Sequence, residues 1–270
     1  MLNLTLGLLY FFLVTAFALA AVILRTIDAR GFLASVAVGF VIVFGGGVQW
    51  FIIVAVFFAL GVAVTLYKYG YKKKIGGAQE KGGARNWPNI LANGGLASAF
   101  AAGEYFHPGA AFAALFLGSI STAAADTTAT ELGLLSRSPP RLIVHPRRQV
   151  SPGTSGGVSA LGFVGAVLAS SVIGGMAFVL GVIGTSAPLQ EVLPLCVLGG
   201  VSGAVVDSLM GATVQRRGHC KVCLRQTESV KHCGEATTVT GGIPFVENNV
   251  VNLLSTLAGA GVALAVLALF

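Results

Sequence analysis

Lys and Arg are missing from most of this chain. All seventeen fall in four short stretches, 25–30, 68–85, 137–148 and 216–231, and the long apolar runs carry none. Charged residues of either sign make up 10% of the chain against 55% hydrophobic, with a mean hydropathy of +0.84. That balance excludes a water-soluble core and implies an integral membrane protein. Other absences narrow the function. There is no Gly-x-x-x-x-Gly-Lys-Ser/Thr motif, which excludes a P-loop ATPase. No basic motif interleaved with aromatics is present, which argues against binding nucleic acid. No cation precedes the first apolar run, so that run reads as a span and not as a cleavable signal peptide. With no long linker, soluble domain or convincing repeat, 1–270 is expected to be a single integral membrane domain.

What is there is a series of apolar runs, 2–24, 31–44, 48–67, 89–103, 109–135, 158–184, 192–215 and 248–270. They predict an all-α, polytopic transmembrane helical bundle of about eight spans. Threaded back and forth, the chain puts all four cationic stretches on one side, and the positive-inside rule makes that side cytoplasmic and both termini outside. The run 89–103 covers only about 22 Å of a hydrocarbon core about 30 Å thick. A re-entrant segment there would split the cationic loops between the two sides, so a full crossing is expected. The net charge of +7 lies in these loops, where anionic membrane lipid or a phosphorylated substrate is the fitting partner. The spacing Gly199-x-x-x-Gly203 suits close helix packing in lipid.

Polar residues gather where spans approach the cytoplasmic face. Asn93 lies just inside the fourth span. Asp126, Thr127, Thr130 and Glu131 lie near the end of the fifth, Gly153, Thr154, Ser155, Gly156 and Gly157 precede the sixth, Asp207 and Ser208 come late in the seventh, and Asn248, Asn249 and Asn252 open the eighth. An ionisable group within a span costs several kcal/mol, about 3 on insertion scales, unless paired, hydrated or metal-bound. Asp126, Glu131 and Asp207 at one depth therefore suggest a shared site whose oxygens suit Mg²⁺ bound with a polyphosphate. The 153–157 run offers amides and hydroxyls to phosphate at a helix N-terminus, and Lys81 and Arg85 are placed to neutralise phosphates. Each has a plainer reading: Asn93 as a packing hydrogen bond, Asp207 as a paired structural acid, 153–157 as a helix-entry loop, and Lys72–Lys74 as an orientation signal only.

The cysteines are a separate matter. Cys220-x-x-Cys223 is followed by His232-Cys233, with His219 beside the first. The loop 216–245 is expected to be cytoplasmic, where a structural disulfide is disfavoured. Three cysteines with His232 or His219 make a candidate zinc knuckle; reduced, unliganded thiols are the alternative. Cys196 reads as a buried apolar residue.

Five ordered segments, Trp87-Pro-Asn-Ile-Leu-Ala-Asn-Gly-Gly95, Ala125-Asp-Thr-Thr-Ala-Thr-Glu-Leu-Gly133, Gly153-Thr-Ser-Gly-Gly-Val-Ser159, Asp207-Ser-Leu-Met-Gly-Ala212 and Asn248-Asn-Val-Val-Asn-Leu-Leu254, resemble the family known as domain of unknown function 92. That family includes transmembrane protein 19 and phytyl-phosphate kinase-like integral membrane proteins. The resemblance implies a cell-membrane kinase with its active site at the cytoplasmic face. It would transfer a phosphoryl group from a nucleoside triphosphate, with CTP the expected donor, to a polyprenyl- or phytyl-type monophosphate. In that frame Asp126, Glu131 and Asp207 would hold Mg²⁺, Lys81 and Arg85 would meet phosphates, Thr154 and Ser155 with neighbouring amides would cradle one, and the asparagines would orient oxygens or the nucleotide. An isoprenoid alcohol kinase, a CTP-dependent lipid nucleotidyltransferase and a membrane transporter stay open beside it.

Overall fold

The computed structural model describes residues 4–224 and 226–270, with the backbone alone for Glu80, Lys81 and Gln226. Eight α-helices dominate: α1 (Leu4–Ile23), α2 (Ala29–Leu66), the short α3 (Tyr69–Lys74), α4 (Trp87–Phe106), α5 (Ala110–Gly133), α6 (Ala160–Val179), α7 (Leu189–Thr213) and α8 (Asn248–Leu267). Six of them, α1, α2, α5, α6, α7 and α8, are long and apolar enough to cross a membrane. Polar caps start several helices. Asp28 accepts from the Gly31 amide at 2.7 Å, Asn86 from Asn89 at 3.1 Å and Ser159 from Gly162 at 3.1 Å. Each satisfies an amide that the first turn leaves unpaired.

The 38 residues of α2 are not one rod. Gly47 has φ 83° and ψ −178°, a conformation that glycine adopts without Cβ strain. Gly31 and Gly61 would stand about 45 Å apart on a straight helix, yet both abut Arg85. A Cβ on Gly31 would meet the Arg85 carbonyl at 2.9 Å, and one on Gly61 would lie 3.8 Å from its guanidinium. The chain therefore turns back at Gly47 into two antiparallel halves, matching the runs 31–44 and 48–67. The run 89–103 also proves longer than its apolar part: α4 spans 20 residues, about 30 Å, because Asn86 and Pro88 begin the helix before the apolar residues do.

Small residues let α5, α7 and α8 touch backbone to backbone. The Thr122 hydroxyl donates to Gly118 O at 2.8 Å and Gly199 O at 3.2 Å, and a Cβ on Gly203 or Gly259 would strike that same hydroxyl. The Gly199–Gly203 pair is thus an interface for close approach. Toward the opposite pole Trp50 stacks on Phe116 with centroids 4.2 Å apart, and Gly45 lies against the Ala101 backbone. Large apolar side chains such as Leu9, Phe12, Phe163 and Leu168 stay exposed around the bundle, as a lipid-facing surface requires.

Strands occur in the two long loops. β1 (Arg141–Leu142), β2 (His145–Gln149) and β3 (Gly157–Val158) form one small sheet in the order β2-β1-β3. β4 (Arg217–His219), β5 (Gln226–Thr227) and β8 (Thr238–Gly241) form a second, and β6 (Lys231–His232) pairs with β7 (Glu235–Ala236). Their polar, short segments gave no alternating pattern to read in the sequence.

Candidate functional site

The start of α4, the end of α5, the end of α7 and the start of α8 meet at the pole that carries the cationic loops. Asn93, Asn252 and Asp207 form a chain of hydrogen bonds across three of these helices. With its amide nitrogen turned toward α7, Asn252 donates to Asp207 Oδ2 at 3.2 Å and to Asn248 O at 3.1 Å, while its oxygen accepts from Asn93 Nδ2 at 3.2 Å. Ser255, one turn beyond Asn252, donates to the same Asp207 oxygen at 3.2 Å. Asp126 stands within electrostatic reach of Asp207, of Glu228 and of the Arg85 guanidinium. Arg85 is fastened by its backbone to Thr26 and Asp28 and by its side chain to the Thr65 hydroxyl at 3.3 Å. Burial lowers its pKa, opposed by the charges of Glu131 and then Asp126.

Glu228 joins this group from outside the spans. It comes from the loop between β5 and β6, bonds to the Ser155 hydroxyl, and lies in the fields of Asp126 and Asp207. Burial raises its pKa above that of an ordinary glutamate, with hydrogen bonds from Ser155 and Gln215 opposing the rise. In the sequence it reads as one more loop charge, 102 positions after Asp126; no local spacing ties the two. Asp126, Asp207 and Glu228 lie in one another's fields, and only Asp126 among them is in reach of the Arg85 guanidinium, which leaves a surplus of negative charge that is resolved by protons or by a cation. Such a donor set suits Mg²⁺.

Other expected residues are placed differently. Glu131 is spent on Lys72: Nζ lies 2.6 Å from Oε2, and the two side chains are 0% and 1% exposed. Lys72 also donates to Val64 O at 2.6 Å, at the carboxyl end of α2, so it is a buried structural cation and more than an orientation signal, while Lys73 and Lys74 are exposed. Glu131 Oε1 has no hydrogen-bond partner among the described residues. Thr127 turns inward beside Gly61, but Thr130, one turn nearer the rim, is exposed. The side chain of Lys81 lies outside the described residues.

The 153–157 run does not open a helix, because Ser159 caps α6 and β3 intervenes. The amides of Thr154 and Gly157 bond to Ser151 O and Thr154 O within a tight turn, and the Thr154 hydroxyl also returns to Ser151 O. Gly153 lies against Gly77, whereas Gly156, at φ 72°, packs on Ala212 of α7. Only Ser155 of this run is brought to the carboxylates. Asn248 receives a long contact of 3.5 Å from Gln215, and Ser208 and Asn249 are half-buried on α7 and α8.

An apolar groove, partly open to the exterior, runs from this pole toward mid-bundle. Val14, Phe17, Phe51 and Phe58 line its length, and Arg85, Asn89, Asn93 and Thr127 form its polar end. An amphiphile with a long apolar tail and an anionic head fits that layout.

In the loop 216–245, Cys220, Cys223, His232 and Cys233 bring one ligand atom each within 4.8 Å of one another. His232 joins the three thiols, and His219 stands outside the group. His232 Nδ1 lies 3.4 Å from Cys223 Sγ and 3.2 Å from Cys233 Sγ. Ligands at Zn²⁺ bond lengths in a tetrahedron stand roughly 3.5–3.8 Å apart, so donor set and spacing fit that ion. The Cys223 backbone amide pushes the Cys220 thiol down to about 6, the state that binds metal, while burial and then the neighbouring thiols raise Cys233 to about 11.

Comparison with known proteins matches residues 12–260 to the family described as Integral membrane protein DUF92. An uncharacterized membrane protein of Methanocaldococcus jannaschii is 32% identical over 81% of this chain and 84% of its own. Protein PGR of Arabidopsis thaliana is 29% identical over 86% of both chains. Protein VTE6, chloroplastic, from the same plant, is 27% identical over 92% of this chain and 68% of its own. No solved structure matches.

Proposed function

We propose, for a chain that belongs to the DUF92 family of integral membrane proteins, that it is a membrane isoprenoid-phosphate kinase. It takes a phosphoryl group from a nucleoside triphosphate, with CTP the expected donor, and gives it to a polyprenyl- or phytyl-type monophosphate. The observation that supports this is the junction of the apolar groove with Arg85 beside Asp126, which itself lies in reach of Asp207 and Glu228. The tail lies in the groove, its phosphate pairs with Arg85, and the triphosphate approaches from the loops. The bundle is expected to cross a cell membrane eight times, with both termini outside and the cationic loops in the cytoplasm.

An oxygen of the acceptor phosphate attacks the γ-phosphorus, the bond from that phosphorus to the β,γ-bridging oxygen breaks, and the nucleoside diphosphate leaves with the electron pair. The acceptor oxygen is already ionised, so no strong general base is needed, and catalysis rests on positioning and charge neutralisation. Asp126 and Asp207, with Glu228, would hold Mg²⁺, which would neutralise charge on the phosphate oxygens. Asn252 and Ser255 fix the Asp207 carboxylate. Glu131 and Lys72 join the end of α5 to the end of α2 and so keep Asp126 and Arg85 in register.

The test is product analysis with the detergent-purified protein, Mg²⁺ and each nucleoside triphosphate, offered either geranylgeraniol or its monophosphate. Diphosphate formed from the monophosphate supports the proposal. Monophosphate formed from the alcohol moves it to an alcohol kinase, and no lipid product from any donor points to transport.

A further inference from the structure

Among its described residues, the loop that supplies Glu228 has little apolar to hold it together. Val222, Leu224 and Val230 are 58%, 71% and 43% exposed, and β6 and β7 have two residues each. Leu224 and Cys233 also carry positive φ, 58° and 52°, at non-glycine positions. A loop with so little apolar packing and two left-handed residues needs another fastening, and the converging ligand atoms of Cys220, Cys223, His232 and Cys233 are placed to give one.

On its membrane side the loop is anchored by Arg216, 3% exposed. One guanidinium nitrogen donates to Ser229 O at 2.9 Å and Glu228 O at 3.3 Å, and the other donates to the Thr237 hydroxyl at 2.7 Å. Glu228 therefore lies on a segment held by two fixtures, the Arg216 anchor at its carbonyl and the Cys/His cluster whose Cys223 and His232 bracket it along the chain. Its backbone is held by the first, and the strand pair that carries His232 closes the second.

We propose that Cys220, Cys223, His232 and Cys233 bind one structural Zn²⁺, and that this ion closes the loop that delivers Glu228 to the Asp126–Asp207 site. The first half stands on the loop alone; the second rests on reading the three carboxylates as a cation site. All four donors are spent on the ion, so it keeps no open position and takes no part in chemistry.

The experiment uses full-length protein purified in detergent without chelator. Bound metal is counted by plasma mass spectrometry, and Mn²⁺ binding is followed by electron paramagnetic resonance as a probe of the carboxylate site. One Zn²⁺ per chain is expected in the wild type and in Glu228→Gln, with a loss of about tenfold or more in the Cys223→Ser/Cys233→Ser double variant. Stripping zinc should weaken Mn²⁺ binding as much as Glu228→Gln does, and should weaken that variant no further. It should also speed tryptic cleavage at Lys221 and Lys231, which keeps the loop measurable if the double variant is unstable. Wild-type protein that holds no zinc even after one equivalent of ZnCl₂, or a double variant that keeps it, overturns the zinc site. Mn²⁺ binding indifferent to zinc removal overturns the delivery of Glu228. If Mn²⁺ binds nowhere, the carboxylate reading falls with the delivery, and the zinc count is decided on its own.

Discussion

Lys72 and Glu131 meet at 2.6 Å in a place where neither side chain is more than 1% exposed. Lys72 follows α2 and Glu131 closes α5, so the pair joins the two helices that carry Thr65 and Asp126 on either side of Arg85. Removing one partner of a buried pair strands a charge and costs about 3–5 kcal/mol. Lys72→Met or Glu131→Gln should lower the unfolding temperature in detergent sharply, and the double variant should regain part of the loss. Additive losses in the double variant would mean that the pair is not coupled.

Asp126 and Asp207 converge from α5 and α7. Asp126→Asn and Asp207→Asn should each lower turnover by about 10²–10³-fold while leaving membrane insertion and the unfolding temperature close to wild type. Steady-state rates beside a thermal-unfolding profile check this, and normal turnover in both variants removes them from the site.

Glu228 holds its proton to higher pH than an exposed glutamate because burial raises its pKa. A divalent cation competes with that proton, so Mn²⁺ affinity should climb as pH rises through the raised pKa and fall away below it. Without a cation, the same shift makes the folded protein lose stability as pH rises from the ordinary glutamate range to the raised value. Glu228→Gln should flatten both dependences, and an unchanged pH profile in that variant would place its carboxylate elsewhere.

Val54 lines the apolar groove away from its polar end. Val54→Trp fills part of the space a long tail needs, and it should cut kcat/KM for a twenty-carbon acceptor by about tenfold or more relative to a five-carbon one. Equal losses for both acceptors would mean that the tail lies elsewhere.

The turn at Gly47 and the small-residue contact at Gly199 were legible in the sequence, since apolar run lengths and small-residue spacing report directly on chain reversal and close packing. So was the convergence of Asn93, Asp207 and Asn252, because helices that start or stop at one face bring such residues to one depth. Thr127 and Thr130 were not separable, as one helical turn decides between a position inside the bundle and one on its rim. In sequence, the glycine turn at 153–157, packed on α7 through Gly156, looks the same as a helix N-terminus because α6, capped by Ser159, begins just beyond it. The inward roles of Lys72, which reads in the sequence as an orientation signal, and of Glu228 are hidden for a common reason. Each sits in a cationic stretch between spans, where sequence gives charge but not direction, and each turns inward because another element supplies a partner, Glu131 for the first and Ser155 for the second.

The most direct measurement follows the fate of the γ-phosphoryl group. The purified protein is given Mg²⁺, geranylgeranyl monophosphate and CTP labelled at either the α or the γ position, and the lipids are separated. Label from the γ position in a lipid diphosphate, and none from the α position, is the expected result. Label from the α position would instead establish a CDP-lipid product and a nucleotidyltransferase, and no label from either position, with ATP, GTP and UTP equally silent, would contradict the kinase altogether.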